Sequence, residues 1–519
     1  MRELMRIWRV LLVLLLVMGS MAGVTLATPA LSGNVPTDSY VYAHLEKLDG
    51  LGLLRPMLTG AKPYNRLQVA GWVLEMEATL GKQKNPSWLG KALVADLRNE
   101  FATELSRLAT GNRLAEPRVR EWKFGLDYYN GESAGYPQGR GTFQPLHKNS
   151  QGYRQDQGMN AYGSFQWEGA MGPDAWISLT PRITWGEHNG AGVTLQSGYV
   201  KLLSGNTEFF VGKDAMSWGQ GQGNLLLSDN ATPLTRFQIS NIEPLRYRGW
   251  LRHLGSIQTK VFLAILEDRQ YWDGSTWQDH DKPGLYGMRL DFQTAPDFTI
   301  GFGYTSMFGG KGVNMGFNDY FRLIMGKTNN GTNDFANGQA GGDFRWRFPK
   351  WGGLQLYGGY YSEDNIDYNE WGKSKNVGGT VVGIYIPRLS SSGDWDLNLE
   401  AAGTGYSWYS HSVYPFGHTY GGQLLGDPMG GDANRYTMRL NHYLNSRTQV
   451  GLTLERVVQG ASLPVSQRVD SIALSIRHRL ANDLLMEFSG GLANLDNAGF
   501  SSGVSRKNKF VSWSVSQRF

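Results

Sequence analysis

The last twelve residues of the chain, 508–519, alternate between apolar side chains and small or polar ones. The two sets fall on opposite parities: Val511, Trp513, Val515 and Phe519 against Ser512, Ser514, Ser516 and Arg518. Because successive side chains of a strand point to opposite faces, this segment predicts a β-strand with one apolar and one polar face. A soluble β-sandwich produces the same alternation when its apolar face packs on a second sheet. A transmembrane barrel produces it when the apolar face contacts lipid.

The N-terminus favours the membrane alternative, because it has the three parts of a secretory signal peptide. Basic residues from Arg2 to Arg9 precede an apolar run from Val10 to Val17, and Thr25–Ala27 offers a small-residue cleavage site. We therefore assign residues 1–27 to a signal peptide; a membrane anchor is the alternative, but the apolar run is short for a spanning helix. A chain that ends on an aromatic residue after an alternating strand, as at Phe519, also resembles the C-terminal signature of bacterial outer-membrane proteins.

Composition points the same way. Glycine and aromatic residues are abundant, charged residues make up only 18% of the chain, and there is no cysteine. The absence of cysteine excludes a disulfide framework and a thiolate metal site. Beyond the signal peptide no run reaches the about 20 apolar residues that a spanning helix needs. Any crossing must therefore use strands, since only helices and closed barrels satisfy the backbone in lipid.

Residues 28–117 form the one region with helical periodicity. A first helix is predicted around Val41 to Leu48, a second from about Arg66 to Leu80, and a third after a cap at Asn85. We expect a small periplasmic bundle that packs under the barrel mouth and buries its apolar stripes there. The start of this region resembles part of a surface-layer-homology repeat, which implies peptidoglycan contact as the alternative to a purely structural role.

Residues 118–519 are predicted to form an all-β transmembrane β-barrel of about 18 antiparallel strands, each long enough to cross a bilayer when tilted. The predicted strands are 121–130, 158–168, 174–185, 191–203, 206–215, 244–254, 256–267, 283–292, 297–309, 340–349, 353–362, 375–387, 394–404, 431–442, 446–458, 468–480, 483–495 and 508–519. Even-numbered connections are tight, for example at Gly255 and Asn445, and most odd-numbered ones are long. Short periplasmic turns and long outer loops are typical of outer-membrane barrels.

Charged residues on these strands share a parity opposite to the apolar residues. Asp343, Arg345 and Arg347 alternate with aromatic residues, and Arg246, Arg248 and Arg252 are predicted to do the same on the sixth strand. A charge on the lipid side costs about 2–4 kcal/mol at the midplane, so these side chains are expected in the lumen. Charges of both signs can pair across strands and fill the interior. The competing interpretation of the arginines is an anion-attracting channel.

The fifth connection carries a motif. Its residues Trp218, Gly219, Gly221, Ser228 and Asn230 belong to the run W-G-Q-G-Q-G-N-L-L-L-S-D-N-A. The glycines permit tight backbone turns, and the leucines 225–227 form an apolar segment that can fold into the barrel and pack on its inner wall. An ordinary outer loop is the bland alternative. This cluster, with the signal, the helical region and the barrel, resembles the Wzi family of outer-membrane proteins that act in capsule assembly.

The resemblance implies a non-enzymatic, lectin-like protein at the cell surface that binds capsular or other surface polysaccharide and assists capsule attachment. Aromatic rings pack on pyranose faces, and amides or carboxylates bond sugar hydroxyls. The candidate binding residues in the outer loops are Trp272, Trp277, Asp279, Trp371, Trp408 and Tyr409. The alternative for each aromatic residue is the interfacial girdle found at barrel rims.

Motifs for catalysis are absent from the sequence: there is no G-x-S-x-G elbow, no H-E-x-x-H and no cysteine nucleophile. We expect no enzyme activity, no cofactor, no metal and no nucleic-acid partner; the expected partners are polysaccharide, outer-membrane lipid and, through the helical region, peptidoglycan. Two other functions remain open. A sugar- or anion-passing porin would use the lumenal arginines, and an envelope tether would use the helical region to bind cell wall.

Overall fold

The structure is a computed structural model of the chain. It describes residues 30–54, 58–137, 141–272, 277–280, 282–310, 313–327, 335–363, 378–411, 413–480 and 484–519. The predicted signal peptide, residues 1–27, lies outside the described residues.

In the described residues before the first long strand there are four helices: α1 Val41–Gly50, α2 Arg66–Lys82, α3 Trp88–Glu100 and α4 Ala102–Thr110. The side chain of Asn65 caps α2 by accepting a hydrogen bond from the amide of Leu67. Ser87, and not the predicted Asn85, caps α3, because its hydroxyl accepts from the amide of Gly90 while Pro86 precedes the cap. In the part of the chain that the structure describes, no helix combines the length and apolar character needed to cross a bilayer.

Eighteen antiparallel strands close into one barrel, as predicted. They are β1 Arg118–Asn130, β2 Gly158–Gly172, β3 Ala175–Gly186, β4 Gly190–Ser204, β5 Thr207–Lys213, β6 Thr235–Asn241, β7 Ser256–Ile265, β8 Gly284–Ala295, β9 Phe298–Phe308, β10 Ala336–Phe348, β11 Leu354–Glu363, β12 Gly378–Ile386, β13 Trp395–Thr404, β14 Ala433–Tyr443, β15 Thr448–Gln459, β16 Gln467–Arg479, β17 Leu484–Asp496 and β18 Ser505–Arg518. The last strand closes the ring on the first, with Arg518 opposite Glu121. The odd-numbered strands end at what we term the loop end, and the even-numbered strands end at the turn end.

Short pieces of regular structure accompany the eighteen long strands, and one of them, Leu245–Arg246, pairs with β7 in the wall. The short strands are Ala61–Lys62, Ala134–Gly135, Thr142–Phe143, Ser217–Trp218, Leu245–Arg246, Arg269–Trp272, Trp277–His280, Thr419–Tyr420 and Gln423–Leu424. The 3₁₀ helices are Gly249–Leu254, Pro349–Trp351 and Ala498–Phe500, and a fifth α-helix, α5, spans Phe317–Ile324.

The predicted sixth strand, 244–254, is wrong. The strand at this place in the barrel is β6, whose seven residues alternate Arg236, Gln238 and Ser240 with Phe237 and Ile239. Positive φ at Gly249 (69°) and Gly255 (70°) interrupts extended pairing in the segment that the prediction used.

Of the arginines assigned to the lumen on that segment, Arg246 stands opposite Ser256 of β7 and donates to its hydroxyl at 3.1 Å, whereas Arg252 is misplaced. Arg246 ends a two-residue strand, and Arg252 lies in a 3₁₀ helix at the turn end. The sixth connection is accordingly residues 242–255, and not a tight turn at Gly255. It is long for the turn end, where most connections are short.

The two faces of the barrel wall follow the predicted parity. On the outer face, Trp513 and Phe124 meet edge to face with ring centroids 6.4 Å apart. On the inner face, Arg477 of β16 pairs with Glu487 of β17 at 2.9 Å. Paired charges of both signs thus line the lumen, while the outer wall between its two rims is mostly apolar, as a barrel in a bilayer requires.

Helix α5 lies on the outside of the barrel at the loop end. Its Tyr320 packs edge to face on Phe308 of β9, with ring centroids 6.4 Å apart. Phe308 shares the outward face of β9 with Phe302, which is 49% exposed lower on the wall. The helix therefore covers part of the outer face near the rim and presents its own exposed Phe321 away from the barrel.

Candidate functional site

The helical region closes the turn end of the barrel. We define this floor as the described residues of 30–111. The ammonium of Lys47 donates to the carbonyl of Pro387 at 2.6 Å and lies 3.2 Å from the carboxylate of Asp396 on β13. On the opposite side of the ring, Lys201 of β4 donates to the side chain of Asn34 at 2.6 Å. Because its bonds reach several sides of the wall, the floor is fixed across the whole opening.

The floor also ties the barrel seam. Glu100 of α3 bonds Arg66 at 3.0 Å and Arg518 of the last strand at 2.9 Å. Burial by itself raises the pKa of Glu100, but the guanidinium groups of Arg518 and Arg66 outweigh it and lower that pKa to about 2. Arg120 of the first strand donates to the carbonyl of Phe519 at 3.1 Å. The carboxylate thus stays ionised beside the place where β1 meets β18.

The predicted packing of the helical region under the barrel mouth is confirmed by these contacts. A further anchor is Asp49 at the end of α1, which pairs with Arg347 of β10 at 2.8 Å. Burial raises the pKa of Asp49, and the guanidinium groups of Arg345 and Arg347 oppose that rise. The lumenal position predicted for both arginines is therefore observed, and their charge is used to bind the floor.

From the other end, the motif loop folds down into the lumen. Residues 214–234 carry the apolar segment Leu225–Leu227, which is fully buried, as predicted. A β-carbon added at Gly303 on the inner wall would lie 2.5 Å from Leu226, and one at Gly379 would lie 3.1 Å from Leu225. The glycines of the wall therefore leave the space that these leucines occupy.

The motif loop meets the floor inside the barrel. Trp218, which is 1% exposed, pairs antiparallel with Ala61 of the floor, and the amide of Gly219 donates to the carbonyl of Gly60 at 2.8 Å. Trp218 also packs edge to face on Phe262 of the inner wall, with ring centroids 5.3 Å apart. The lumen is thus filled by the chain's own segments. No sequence pattern predicted the pairing between residues 61–62 and the motif.

Each of the remaining motif residues has a defined contact. Gly219 has φ of 132°, and a β-carbon there would lie 2.5 Å from the side-chain oxygen of Asn224. A β-carbon at Gly221 would lie 3.1 Å from the carboxylate of Glu400. These glycines are required by close approach and backbone conformation.

Ser228 and Asn230 of the motif bind a second loop. The hydroxyl of Ser228 donates to the carbonyl of Gly426 at 2.6 Å, and the side-chain amide of Asn230 donates to the carbonyl of Leu424 at 3.0 Å. The second half of the motif therefore fastens the loop 405–432. In this structure the motif residues hold the loops 214–234 and 405–432 together.

We define the roof as the described residues of three loops at the loop end, 131–157, 214–234 and 405–432. The first loop joins the second through the amide of Gln151, which donates to the carbonyl of Asp229 at 2.7 Å. It joins the third through the hydroxyl of Tyr136, which donates to the carbonyl of Pro428 at 3.0 Å. The three loops therefore form one connected cover.

Two histidines are buried within the roof. His147 lies edge to face with Tyr153, and His418 stacks on Tyr409 with ring centroids 5.9 Å apart. Burial, assisted by the guanidinium of Arg182, lowers the pKa of His147 to about 4. Burial also lowers the pKa of His418 to about 4. Both imidazoles are therefore neutral at physiological pH, and protonation of either opposes the closed roof.

Trp408 and Tyr409, two of the predicted polysaccharide-binding residues, lie inside the roof. They are 1% and 3% exposed, and Trp408 packs in the apolar cluster with Leu225 and Val381. Their rings contact protein on all sides in this structure, so contact with a sugar would require the roof to open. Their binding role stays a prediction, and the proposals below do not depend on it.

Charged residues fill the lumen between floor and roof. Arg289 of β8 is fully buried and contacts Asp291 at 2.6 Å and Asp343 at 2.5 Å. Arg435 of β14 contacts Glu400 at 2.6 Å and Asp427 of the roof at 3.0 Å. The sequence analysis missed Asp427 and Arg435; the parity of Arg435 on its strand was the available signal. These pairs neutralise one another, so they do not form the uniform positive lining of an anion channel.

Other predicted sugar-binding residues lie farther out. Trp272 and Trp277 end the two strands of a hairpin, 269–272 and 277–280, and face each other in its register. Asp279 is opposite Gln270 in the same hairpin. Trp371 lies outside the described residues. Within the described ranges, no group of three or more histidine, aspartate or glutamate side chains is arranged to hold a metal ion.

The fold and the filled lumen define a class: a transmembrane β-barrel closed at both ends by segments of its own chain. The model of the family of capsule assembly protein Wzi matches residues 135–510, and the chain belongs to this family. It is thus an outer-membrane β-barrel of a capsule assembly family.

Two proteins illustrate the similarity. The chain is 26% identical over 311 residues to a 55.8 kDa protein encoded in the cps region of Klebsiella pneumoniae, over 58% of this chain and 55% of that one. The match thus spans about half the length of this curated relative. Among solved structures, Wzi of Escherichia coli, described as a carbohydrate-binding β-barrel involved in group 1 capsule assembly, matches with a TM-score of 0.69 and 17% identity. That match covers 94% of this chain and 100% of the other.

Proposed function

We propose that the protein is a non-enzymatic surface lectin that binds exported polysaccharide at the loop end of the barrel and so helps to attach a capsule. Membership of the Wzi family supports a role in capsule assembly. The description of the Escherichia coli relative as carbohydrate-binding supports polysaccharide as the ligand class. The motif residues build the roof in this chain, which supports a loop-end surface as the functional part of the fold.

The observation that carries the proposal is the closure of the lumen from both ends. The floor bonds to the wall at Lys47 and Asp49, and the roof is joined to the floor through Trp218 and Gly219. A polymer therefore has no open route through the described part of the barrel. Binding on the outer surface is the function that this arrangement supports, in preference to the passage of sugars or anions.

Within that surface, we propose the hairpin with Trp272, Trp277 and Asp279 as the polysaccharide contact. Its strands pair so that both tryptophans stand at the same end, next to the connection between them. Two aromatic rings at one tip can grip a sugar ring, and a carboxylate two residues along the strand can accept bonds from hydroxyl groups. Trp371 is proposed as a further contact on the eleventh connection.

The proposed orientation places the roof at the cell surface and the floor in the periplasm. Long loops on the outside and short turns on the inside support it. Several charged residues of the floor, among them Lys47, Asp49 and Glu100, pair with residues of the barrel, which favours a structural role. Peptidoglycan binding and an envelope tether stay predictions; a pull-down of the full-length protein with cell walls that recovered it would support them.

Two measurements on the purified, detergent-solubilised chain test the proposed function. In planar bilayers we expect no steady single-channel conductance, and a stable open channel would overturn the closed lumen. Titration with capsular polysaccharide from the source strain should show saturable binding. If the protein bound no surface polysaccharide and cells lacking it kept all their capsule, the lectin proposal would fail.

A further inference from the structure

The outer wall of the barrel is concave across β10 to β18. The concavity has a volume of about 1480 Å³ and its surface is mostly apolar. Outward-facing side chains such as Leu454, Ile472 and Leu492 line it, and all three are substantially exposed. A depression of this size on the lipid-facing wall is large enough to seat more than one acyl chain.

Outward-facing charged residues border the concavity at its loop end. On neighbouring strands, Arg456 lies directly opposite Asp470 and bonds it at 2.5 Å, and Arg468 reaches Asp470 at 3.2 Å. Arg468 also pairs with Asp496, its direct neighbour on β17. The two carboxylates of this border are therefore already neutralised by arginines.

Two further cations on the border have no such partner. Lys507 and Lys509 are exposed on the outward face of β18, and neither pairs with an acidic side chain among the residues that the structure describes. In the strand register, Lys509 stands opposite Leu492 of the apolar wall on one side and Asn130 of β1 on the other. Lys507 stands opposite Asn494. Two unpaired ammonium groups thus sit directly above the apolar depression.

We propose that this surface binds a phosphorylated, multi-chain lipid of the outer leaflet, with its acyl chains in the concavity and its phosphate on Lys507 and Lys509. The apolar wall is continuous with the lipid-facing face of the barrel, so the chains lie where the bilayer already is. The cations lie at the loop end, at the level of lipid headgroups. Asn130 and Asn494 supply amide donors beside them. This site is separate from the roof and does not depend on polysaccharide binding.

Native mass spectrometry of the detergent-purified full chain tests the site, with lipid A as the probe. Replacing both lysines in a K507Q/K509Q variant should weaken the affinity for lipid A about thirtyfold, since each cation near an anionic lipid surface contributes about 1 kcal/mol and about 1.4 kcal/mol corresponds to a factor of ten. The matched control is a K82Q/K91Q variant, which removes two exposed lysines from the helices of the floor and should bind like the parent. Dephosphorylated lipid A should bind the parent as weakly as lipid A binds the double variant.

A gain-of-binding variant keeps the test independent of any loss of folding. Asn130→Lys adds a third cation next to Lys509 and should raise the bound fraction of lipid A. Equal binding of lipid A by the parent and the K507Q/K509Q variant would overturn the proposal. The proposal would also be overturned if the parent gave the mass of two chains and only the K507Q/K509Q variant did not. The concavity would then be a contact between two copies of this chain.

Discussion

The hydroxyl of Tyr409 donates a hydrogen bond to the carbonyl oxygen of Leu225 at 2.5 Å and accepts one from the amide of Asp427 at 2.8 Å. This one side chain therefore links the loop 405–432 to the motif loop 214–234. Both partners are buried backbone groups, which have no water to replace a lost bond. Together with the bonds from Ser228 and Asn230, this link holds the two loops closed.

Replacing Tyr409 by phenylalanine should loosen the roof and leave the barrel intact. Removal of the hydroxyl leaves two buried backbone groups without this partner, which costs about 1–3 kcal/mol for each unsatisfied group. Limited proteolysis should then cut the roof loops faster than in the parent, while heat-modifiable migration on a gel stays unchanged. Tyr436→Phe, at a tyrosine that is 55% exposed on the outer wall, is the control and should be cut at the parent's rate.

Glu100→Gln should weaken the seam between β1 and β18. The change removes a buried negative charge, after which Arg66 keeps Glu104 and Arg518 keeps Glu121 as partners. Breaking a buried pair outright costs about 3–5 kcal/mol, so we expect a loss below that range and above that of a surface pair. Thermal unfolding in detergent should shift to lower temperature. Glu77→Gln breaks a surface pair with Arg98 and should cost about 0–1 kcal/mol. Equal shifts for the two variants would contradict the proposed role of the seam.

The roof should become less stable as the pH falls from 6.5 towards 4. His147 and His418 have folded-state pKa values of about 4 against an ordinary value of 6.5. Because the folded-state pKa of both histidines is lowered, the closed roof has its full stability above pH 6.5. Below that pH the histidines of an opened roof take up protons before those of the closed roof, so the closed roof loses stability. Protease cleavage of the roof, measured between pH 6.5 and 5, should therefore accelerate on acidification.

A double variant separates the histidines from other titrating groups. His147→Gln with His418→Gln should flatten the pH dependence of cleavage in that range. The exposed His253 at the turn end supplies the control, since His253→Gln should retain the parent's slope. An unchanged slope in the double variant would show that other groups govern the effect.

Trp272→Ala and Trp277→Ala should each weaken the binding of surface polysaccharide. Loss of one stacking ring is expected to cost about 0.5–1.5 kcal/mol, which corresponds to a factor of about 2 to 12 in affinity. Isothermal titration with the purified polysaccharide measures the change. Trp250→Ala removes a tryptophan that is 81% exposed at the turn end and should bind normally. If neither hairpin variant differed from this control, the proposed contact would be wrong.

The barrel could be predicted from the sequence because its physical requirement repeats in every strand. Apolar residues such as Leu454 and lumenal ones such as Glu455 must alternate, and each repetition supports the next. The prediction of the sixth strand was wrong for a local reason. Strand β6 has seven residues, and the longer arginine-containing segment after it shows a similar alternation of polar and apolar side chains. Only the positive φ at Gly249 and Gly255 distinguishes that segment, and φ is not visible in the sequence.

The candidate site was less predictable, because it is built by loops that fold back. The sequence indicates that Leu225–Leu227 seek burial, but not that Tyr409 meets the backbone of Leu225 across 184 residues. Trp408 is a loop tryptophan, a residue type typical of exposed sugar contacts, but it is buried in the roof. A loop aromatic residue carries no periodicity, so its environment depends on long-range contacts that the pattern does not contain.

Helix α5 gives the barrel an asymmetric outline at its loop-end rim. With its Tyr320 turned inward and Phe321 outward, it keeps neighbouring membrane proteins at least one helix diameter, about 10 Å, from the wall at that position. In a crowded outer membrane, other barrels can then contact the wall only around the rest of its circumference. Neighbouring copies of this protein in an array would therefore take a preferred rotation relative to one another.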